Sequence, residues 1–337
     1  MTAVARFGLR LLLLAAAISV LIWLPSQVSD FHSRDLAQAG VFFIAIVGLN
    51  IVTGYAGQIS LGHGALMAIG GYTTAILVAH HGIRDVWTIP LAGLLAGVVG
   101  LLAGLPALRL TGLYLALATF GLAVAMPSVL KHFSGVTGGD LGLRLVEEAP
   151  GRVTGLSGTV TIWGHTFTQN HFLYYLTWAI ALVLFVASWL LLRSQVGLAF
   201  RAIRDSELAA EAFGVNRALY KTIAFGISGF YAGVAGSLLV VSAEIVSPLS
   251  FTFLLSITLL VGTVVAGLGS LGGIVVGAFF LQYLPELSDR VSTAPGVASV
   301  AYGAVIILVM IALPSGVGGL LRRLAEPLTM RLYTRSR

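Results

Sequence analysis

The chain has 337 residues, of which 58% are hydrophobic and only 9% are charged, and its mean hydropathy is +0.98. A soluble domain carries about 25% charged residues, so this composition excludes a water-exposed globular surface and indicates an integral membrane protein. The sequence contains no cysteine, which excludes disulfides, thiolate nucleophiles and cysteine-ligated metals. The net charge of +6 fits the basic residues that membrane proteins keep in the cytoplasm, so no nucleic-acid partner is expected.

Ten apolar runs are candidates for transmembrane helices, each of which needs about 20 residues. They lie at 7–24, 39–56, 59–79, 88–106, 112–130, 172–192, 222–241, 252–268, 271–285 and 297–313. The third and ninth runs are glycine-rich and can be broken or re-entrant, so eight full spans plus two partial ones is the alternative count. The first run is interpreted as an uncleaved span, because no small-residue cleavage site follows it. The predicted fold is an all-α, polytopic transmembrane helix bundle in which residues 1–337 form one domain.

The charges between the runs predict the orientation of the bundle. With ten spans and a cytoplasmic N-terminus, thirteen of the 19 basic residues lie in the cytoplasm and nine of the 13 acidic residues lie outside. Basic residues near span ends favour the cytoplasmic side. Both termini are therefore predicted to be cytoplasmic, with a basic tail at 314–337.

Residues 131–171 form a long segment that this orientation places on the extracytoplasmic side. The sequence VTIWGHTFT at 160–168 is typical of a short β-hairpin that turns near Gly164. A loop of this length is usually functional or disordered. We expect a small ordered extracytoplasmic cap.

The segment 193–221 holds eight charged residues, a quarter of the chain's total, and the orientation places it in the cytoplasm. Asp205 or Ser206 can cap a short helix over 207–213, which Gly214 would end. The helix would carry an apolar face (Leu208, Ala209, Ala212 and Phe213) and an acidic face (Glu207 and Glu211). A helix this short is not stable alone, so it either inserts into a partner or shields the bundle at the membrane interface.

Two features concern nucleotides and internal symmetry. Neither lysine of the chain, Lys131 or Lys221, lies in a phosphate-binding G-x-x-x-x-G-K-[ST] loop, so any dependence on ATP must come from a partner.

The sequences GQISLG (57–62) and GLGSLG (267–272) resemble each other, and both lie at a predicted cytoplasmic turn. The similarity fits either an ancient parallel duplication or chance in glycine-rich sequence.

Several motifs, in the same order along the chain, resemble the branched-chain amino-acid ABC transporter permease family. They are GLNIVTGYAGQISLGHGALMAIGGYTTAIL (48–77), VGLAFRAIRDSELAAEAFGVN (196–216) and VAGLGSLGGIVVGAFF (265–280). Within them, ELAAEAFG (207–214) resembles the cytoplasmic loop with which ABC-importer permeases dock onto their ATPase. The resemblance runs from about residue 36 to 315, and one departure is Phe213, where the family has Leu or Met as often.

The resemblance implies a subunit of an importer in the bacterial inner membrane, of the longer of the family's two permease types. Its partners would be a homologous second permease, two ATP-binding subunits, an extracytoplasmic substrate-binding protein and the lipid bilayer. The chain would move branched-chain or related hydrophobic amino acids by alternating access, as a transport subunit and not an enzyme. No cofactor is expected in this chain, since ATP and Mg would bind to the partner subunits.

Candidate residues follow for three sites. The predicted ATPase-coupling residues are Arg201, Arg204, Asp205, Glu207, Ala210, Glu211 and Gly214 in the cytoplasmic coupling loop 193–221. The predicted contacts for the binding protein are Asp140 and Glu244.

The third predicted site is a substrate pathway. The glycines at 54, 57, 62 and 64 would unwind a helix, and non-helical backbone within a membrane is tolerated only where it is buried or lines a cavity. The candidate pathway residues are Asn50, Thr53, Gly57, Gln58, Ser60 and His63. Alternatively, these glycines only permit tight packing. No metal site is expected, because His63 has no second ligand at helical spacing.

Two other functions stay open from the sequence. A permease of the same family for urea or short amides would carry the same motifs, because the binding protein largely sets the specificity. A secondary transporter or channel would need charged or ion-coordinating clusters at the span centres, and these runs are almost free of both.

Overall fold

The structure is a computed structural model that describes residues 30–83, 85–145, 160–162, 165–291, 297–313 and 315–320. The predicted first span at 7–24 and most of the predicted tail at 314–337 lie outside these ranges. The α-helices in the described ranges are α1 (Asp30–Leu49), α2 (His63–His81), α3 (Asp85–Ala103), α4 (Leu113–His132), α5 (Ser134–Thr137), α6 (Gln169–Arg193), α7 (Gln195–Asp205), α8 (Glu207–Ala212), α9 (Arg217–Ala243), α10 (Phe253–Ala266), α11 (Ile274–Val291) and α12 (Val297–Ala312).

Short elements of other types connect these helices. A π-helix (Asn50–Tyr55) continues α1, and 3₁₀ turns lie at Pro106–Leu108 and Pro248–Phe251. The strands are β1 (Leu143–Arg144), β2 (Val160–Ile162), β3 (His165–Phe167) and β4 (Ile245–Val246). The predicted hairpin is confirmed, because β2 and β3 pair antiparallel with Val160 opposite Phe167.

The helices agree with nine of the ten predicted runs, and the predominance of helix confirms a polytopic α-helical membrane protein. Six helical stretches in the described ranges are long and apolar enough to cross a membrane: Asp30–Tyr55, Val86–Leu108, Leu113–His132, Gln169–Arg193, Arg217–Ala243 and Tyr302–Leu320. The helices α10 and α11 are apolar but shorter. The ten-span count and the cytoplasmic termini stay predictions.

The third and ninth predicted runs start later than expected. Their helices begin at His63 and at Ile274, whereas the runs were predicted from residues 59 and 271. In each case the glycine-rich residues just before the helix leave the α-helical conformation. Both runs are therefore preceded by a break in the backbone, at 56–62 and at 267–273.

Helix α9 lies at the centre of the bundle, where it packs against α1, α2 and α3. The approach is close because the facing residues are glycines. A Cβ atom on Gly70 of α2 would lie 2.1 Å from the Gly233 oxygen of α9, and one on Gly236 of α9 would lie 2.0 Å from the Met67 oxygen. A hydrogen bond of 2.6 Å between Thr74 and Ser237 joins α2 and α9. Small residues that let backbones approach are the usual means of helix association in membranes.

The end of the bundle that carries residues 193–221 is called the charged end below, and the other is called the opposite end. At the opposite end, β1 pairs antiparallel with β4, with Leu143 opposite Val246. The carboxylate of Asp30 on α1 accepts hydrogen bonds of 2.5 Å from Thr168 and from Asn170 at the start of α6. These contacts hold the ends of several helices together, and they are the described part of the predicted cap at 131–171.

Candidate functional site: the charged segment and the helix break

The charged segment 193–221 contains the predicted short helix α8, a further helix α7 that was not predicted, and the start of α9. Each of the helices α7, α8 and α9 begins at a side-chain cap. The oxygens of Ser194, Ser206 and Asn216 accept backbone N–H groups at 3.2, 3.3 and 3.1 Å. Such caps satisfy donors that a helix start leaves unpaired, so the segment's shape is encoded locally.

Helix α7 is the element that the sequence interpretation missed. Its sequence carries a helical signal, with apolar residues at positions 196, 199, 200 and 203, which correspond to i, i+3, i+4 and i+7; the last three are buried and Val196 is partly buried. Arg201 on α7 donates a hydrogen bond of 3.0 Å to the Leu192 oxygen at the end of α6. This bond fixes the angle between α6 and α7.

The prediction for α8 is confirmed to within one residue. Gly214 adopts a left-handed φ of +84° after the last helical turn. The Gly214 N–H donates to the Glu211 oxygen at 2.9 Å, and the Val215 N–H donates to the Ala210 oxygen at 3.0 Å. This pair of bonds is the Schellman arrangement that ends a helix, and it requires a residue that tolerates positive φ.

The acidic residues of α8 are paired within the chain. The Lys221 ammonium on α9 is 2% exposed and lies 2.6 Å from a Glu207 carboxylate oxygen. Arg217 lies 3.8 Å from Glu207 and 3.5 Å from Glu211. The predicted acidic face of Glu207 and Glu211 therefore holds α8 against the start of α9.

Removing the buried pair should destabilise the charged end. Glu207→Gln leaves the Lys221 ammonium buried without a counter-charge, and we expect a loss of about 3 kcal/mol, the lower end for a broken buried pair because Glu207 is partly exposed. Thermal unfolding of the purified protein measures the loss. The matched control is Glu211→Gln, because this side chain is 56% exposed and its pairing is worth roughly 0–1 kcal/mol. Equal losses of stability for the two variants would contradict the assignment of Glu207 as the counter-charge of the buried Lys221.

Two large apolar side chains at α8 are exposed. Leu208 is 77% exposed and Phe213 is 88% exposed, whereas Ala210 is buried beneath the helix. Beside α8 lies a cleft of about 460 Å³, lined by Leu108, Glu211, Gly214, Val215, Asn216, Arg217 and Ala218. The charged end therefore projects two large apolar side chains beside a partly polar cleft, which is a shape suited to protein contact.

The predicted break in the second and third runs is present. The π-helix Asn50–Tyr55 follows α1, residues 56–62 are not helical, and α2 begins at His63. Asn50 is fully buried, and its amide donates to the Ser270 oxygen at 2.8 Å and accepts from the Gly269 N–H at 2.9 Å. The π-helix before the break thus contacts the second break at 267–273, and π-helical turns of this kind often mark functional sites.

The other pathway candidates differ in their surroundings. Thr53, Gln58, Ser60 and His63 are buried, and Gly57 is exposed. The His63 Nδ1 atom lies 3.3 Å from the Ser228 hydroxyl of α9. Among the described residues, the Thr53 hydroxyl and both amide atoms of Gln58 are buried without a hydrogen-bond partner. An unpaired buried polar group costs about 1–3 kcal/mol, and the pathway role of these residues stays a prediction.

Arg204, at the end of α7, reaches this break. Its Nη1 donates to the Gly54 oxygen at 3.0 Å, and its Nη2 lies 3.3 Å from the neighbouring carboxylate of Asp205. The structure therefore brings the predicted coupling residues and the predicted pathway residues into contact, which the sequence did not show. The remaining candidates lie at the opposite end.

Asp140 and Glu244 lie near the β1–β4 pair. The Asp140 carboxylate is 2.5 Å from the Lys131 ammonium and remains 76% exposed. Glu244 ends α9 with a left-handed φ of +59°, its carboxylate accepts a hydrogen bond from the Gln169 amide, and its backbone oxygen accepts the Leu145 N–H at 3.0 Å. Asp140 is thus open to solvent, whereas Glu244 joins α9, α6 and the segment before α6.

Comparison with known proteins decides the family. A family model described as branched-chain amino acid transport system / permease component matches residues 33–311. The chain belongs to this permease family. The matched region leaves out the first residues of α1 and the last residues of the described chain. It contains the charged segment and both breaks.

Individual relatives also carry the names of branched-chain amino acid transport permeases. The permease is 33% identical, over 91% of its length and 74% of the relative's, to the high-affinity branched-chain amino acid transport system permease protein LivM of Escherichia coli K12. It is 24% identical, over 82% of its length and 91% of the relative's, to the LivH permease protein of Salmonella typhimurium. A probable LivM of Methanocaldococcus jannaschii is 24% identical over 85% of the permease and 93% of the relative. No solved structure matches the permease.

Proposed function

We propose that this permease moves branched-chain or related hydrophobic amino acids across the bacterial inner membrane, by alternating access driven by partner ATPases. The observation that carries the proposal is the 33% identity to a LivM permease over 91% of the chain. The family is a transport family, so the chain is a transport subunit and not an enzyme. ATP hydrolysis, with its Mg, is assigned to two ATP-binding subunits.

The proposed assembly contains a homologous second permease and an extracytoplasmic binding protein. Similarity to both LivM and LivH relatives supports the second permease, because those proteins carry the two permease names of one type of system. At the opposite end, exposed Asp140 is the proposed contact for the binding protein. Glu244 is proposed to hold the neighbouring helix ends in place for that contact.

The charged end is proposed to be cytoplasmic and to carry the ATPase contact. Two observations support this: the exposed apolar pair Leu208 and Phe213, and the ion pairs that fix α8 on α9. In this arrangement Glu207 and Glu211 position the contact surface, and the apolar side chains make the contact. Arg201 and Arg204 set the angle of α7 toward the membrane.

Transport by the reconstituted complex tests the function. Vesicles that contain both permeases, the ATP-binding subunits and the binding protein should accumulate leucine, isoleucine or valine only when ATP is supplied. Uptake driven by an ion gradient in the absence of the ATP-binding subunits would instead establish a secondary transporter. Competition by urea or short amides, with no competition by branched-chain amino acids, would assign the other substrate class.

A further inference from the structure

The π-helix that leads into the first break of the membrane helices contacts the second break. The first, at 56–62, separates the π-helix from α2, and the second, at 267–273, separates α10 from α11. Asn50 clamps the second break by donating to the Ser270 oxygen and accepting the Gly269 N–H. The second of the two similar sequences, GLGSLG, is thus held by the π-helix that directly precedes the first, GQISLG.

Close approach at this point requires glycine. A Cβ atom on Gly54 would lie 1.9 Å from the Asn50 side-chain oxygen and 2.3 Å from the Gly269 nitrogen. Gly269 has a φ of +70°, and its Cβ atom would lie 2.8 Å from Arg204 Nη1. No side chain fits between these backbones, so a movement of the π-helix is passed directly to the second break.

Arg204 joins the charged segment to the same point. It donates to the carbonyl of Gly54, among the last carbonyls of the helical run, where intrahelical donors are lacking and a cation is favoured. Its side chain also lies against Gly57, where a Cβ atom would be 2.7 Å from Arg204 Cγ. Hydrogen bonds from a charged donor are about twice as strong as neutral ones, so this is a firm connection.

Arg204 is also next to α8. Only Asp205 and Ser206 separate it from Glu207, the first residue of α8, and Glu207 is tied to Lys221 on α9. The short turn at Ser206 therefore has one firm contact on each side. One contact leads to the break at Gly54, and the other leads to the central helix of the bundle.

We propose that Arg204 and Asn50 are positioning residues that transmit movement of α8 to both membrane breaks at once. The inference rests on the proposed function, because it takes α8 as the site on which the ATP-binding subunits act. A displacement of α8 moves Arg204 and with it the Gly54 carbonyl. Asn50 carries the displacement on to Gly269 and Ser270, so that both breaks move together.

The first test measures uptake and ATP hydrolysis separately in the reconstituted complex. Arg204→Gln should leave the ATP-binding subunits bound and hydrolysis within about twofold of the parent. Uptake per ATP should fall about tenfold, within the roughly 5- to 150-fold range of coupling between sites. Arg204→Lys, which keeps a charged donor, should retain most of the parent's uptake per ATP. The matched control is Arg193→Gln, which removes a charge that lies over the Trp189 ring at the start of the segment.

The second test replaces the hydrogen-bonded connection by a covalent one. The chain has no cysteine, and a Cβ atom on Gly57 would lie 3.1 Å from Arg204 Cβ, close to the spacing of a disulfide. In the Gly57→Cys, Arg204→Cys variant, oxidation should raise uptake per ATP several-fold above that of the reduced form. Equal or lower values after oxidation, or failure of the disulfide to form, would overturn the proposal.

The two tests separate this inference from the function on which it rests. Failure of the parent complex to take up branched-chain amino acids with ATP would refute the proposed function rather than the junction. Uptake and hydrolysis that fall in proportion in Arg204→Gln, with the subunits still bound, would refute the junction alone. If Arg204→Gln fails to assemble, the disulfide variant tests the junction by itself. Its oxidised and reduced forms are compared in the same preparation.

Discussion

Replacing Leu208 and Phe213 together by aspartate should release the ATP-binding subunits and abolish ATP-dependent uptake. Both side chains are more than three-quarters exposed, so the change leaves the fold of the permease intact. Truncating an apolar anchor at the centre of an interface costs at least about 2 kcal/mol, and burying a charge there costs more. Two such changes correspond to a loss of affinity of at least about a thousandfold.

Copurification of the ATP-binding subunits with the tagged permease measures this loss. The matched control is Leu198→Asp, because Leu198 is 62% exposed but lies on α7. We expect the control to retain the subunits. A complex that survives the double change would show that α8 is not the contact, whatever the behaviour of the junction at Arg204.

The second large effect concerns the centre of the bundle. Gly236→Ala places a methyl group 2.0 Å from the Met67 oxygen, and Gly70→Ala places one 2.1 Å from the Gly233 oxygen. Overpacking of this kind costs about 1–3 kcal/mol and more when the obstacle is backbone, which does not rearrange as a side chain does. Both variants should therefore unfold at clearly lower temperature than the parent.

Gly121 supplies the control for this experiment. It lies in helix α4, and a Cβ atom there meets nothing within 4 Å. Since alanine favours a helix by up to about 1 kcal/mol over glycine, Gly121→Ala should keep or slightly raise the unfolding temperature of the isolated chain. A drop in the control as large as that in Gly236→Ala would mean that helix packing is not the cause.

Local features of the site were predictable from the sequence. Ser206, Gly214 and the helix between them were predicted to within one residue, because a cap and a stop depend only on neighbouring residues. The break before α2 was also predicted, because glycine-rich sequence disfavours helix wherever it occurs. Helix α7 was not predicted although its apolar spacing is present, because its charged residues are equally typical of a loop in water.

Long-range features were not predictable. The contacts of Asn50 with Gly269 and of Arg204 with Gly54 join positions 219 and 150 residues apart, and only the packing of the helices determines which residues meet. Composition also does not separate glycines that pack helices, such as Gly70, from those that form a junction, such as Gly54. The pairing of Glu207 with Lys221 follows from the fold of α8 onto α9, which a single sequence does not specify.

The three side-chain caps of the charged segment have a consequence for the order of folding. Its caps and ion pairs join residues no further apart than Glu207 and Lys221, so they close small loops and form early. The contacts that fasten the segment to the bundle must wait for chain far away, since the partners of Asn50 at 269 and 270 are synthesised long after α8. The surface proposed to contact the ATP-binding subunits therefore takes shape during synthesis, before Asn50 has met its partners in the second break.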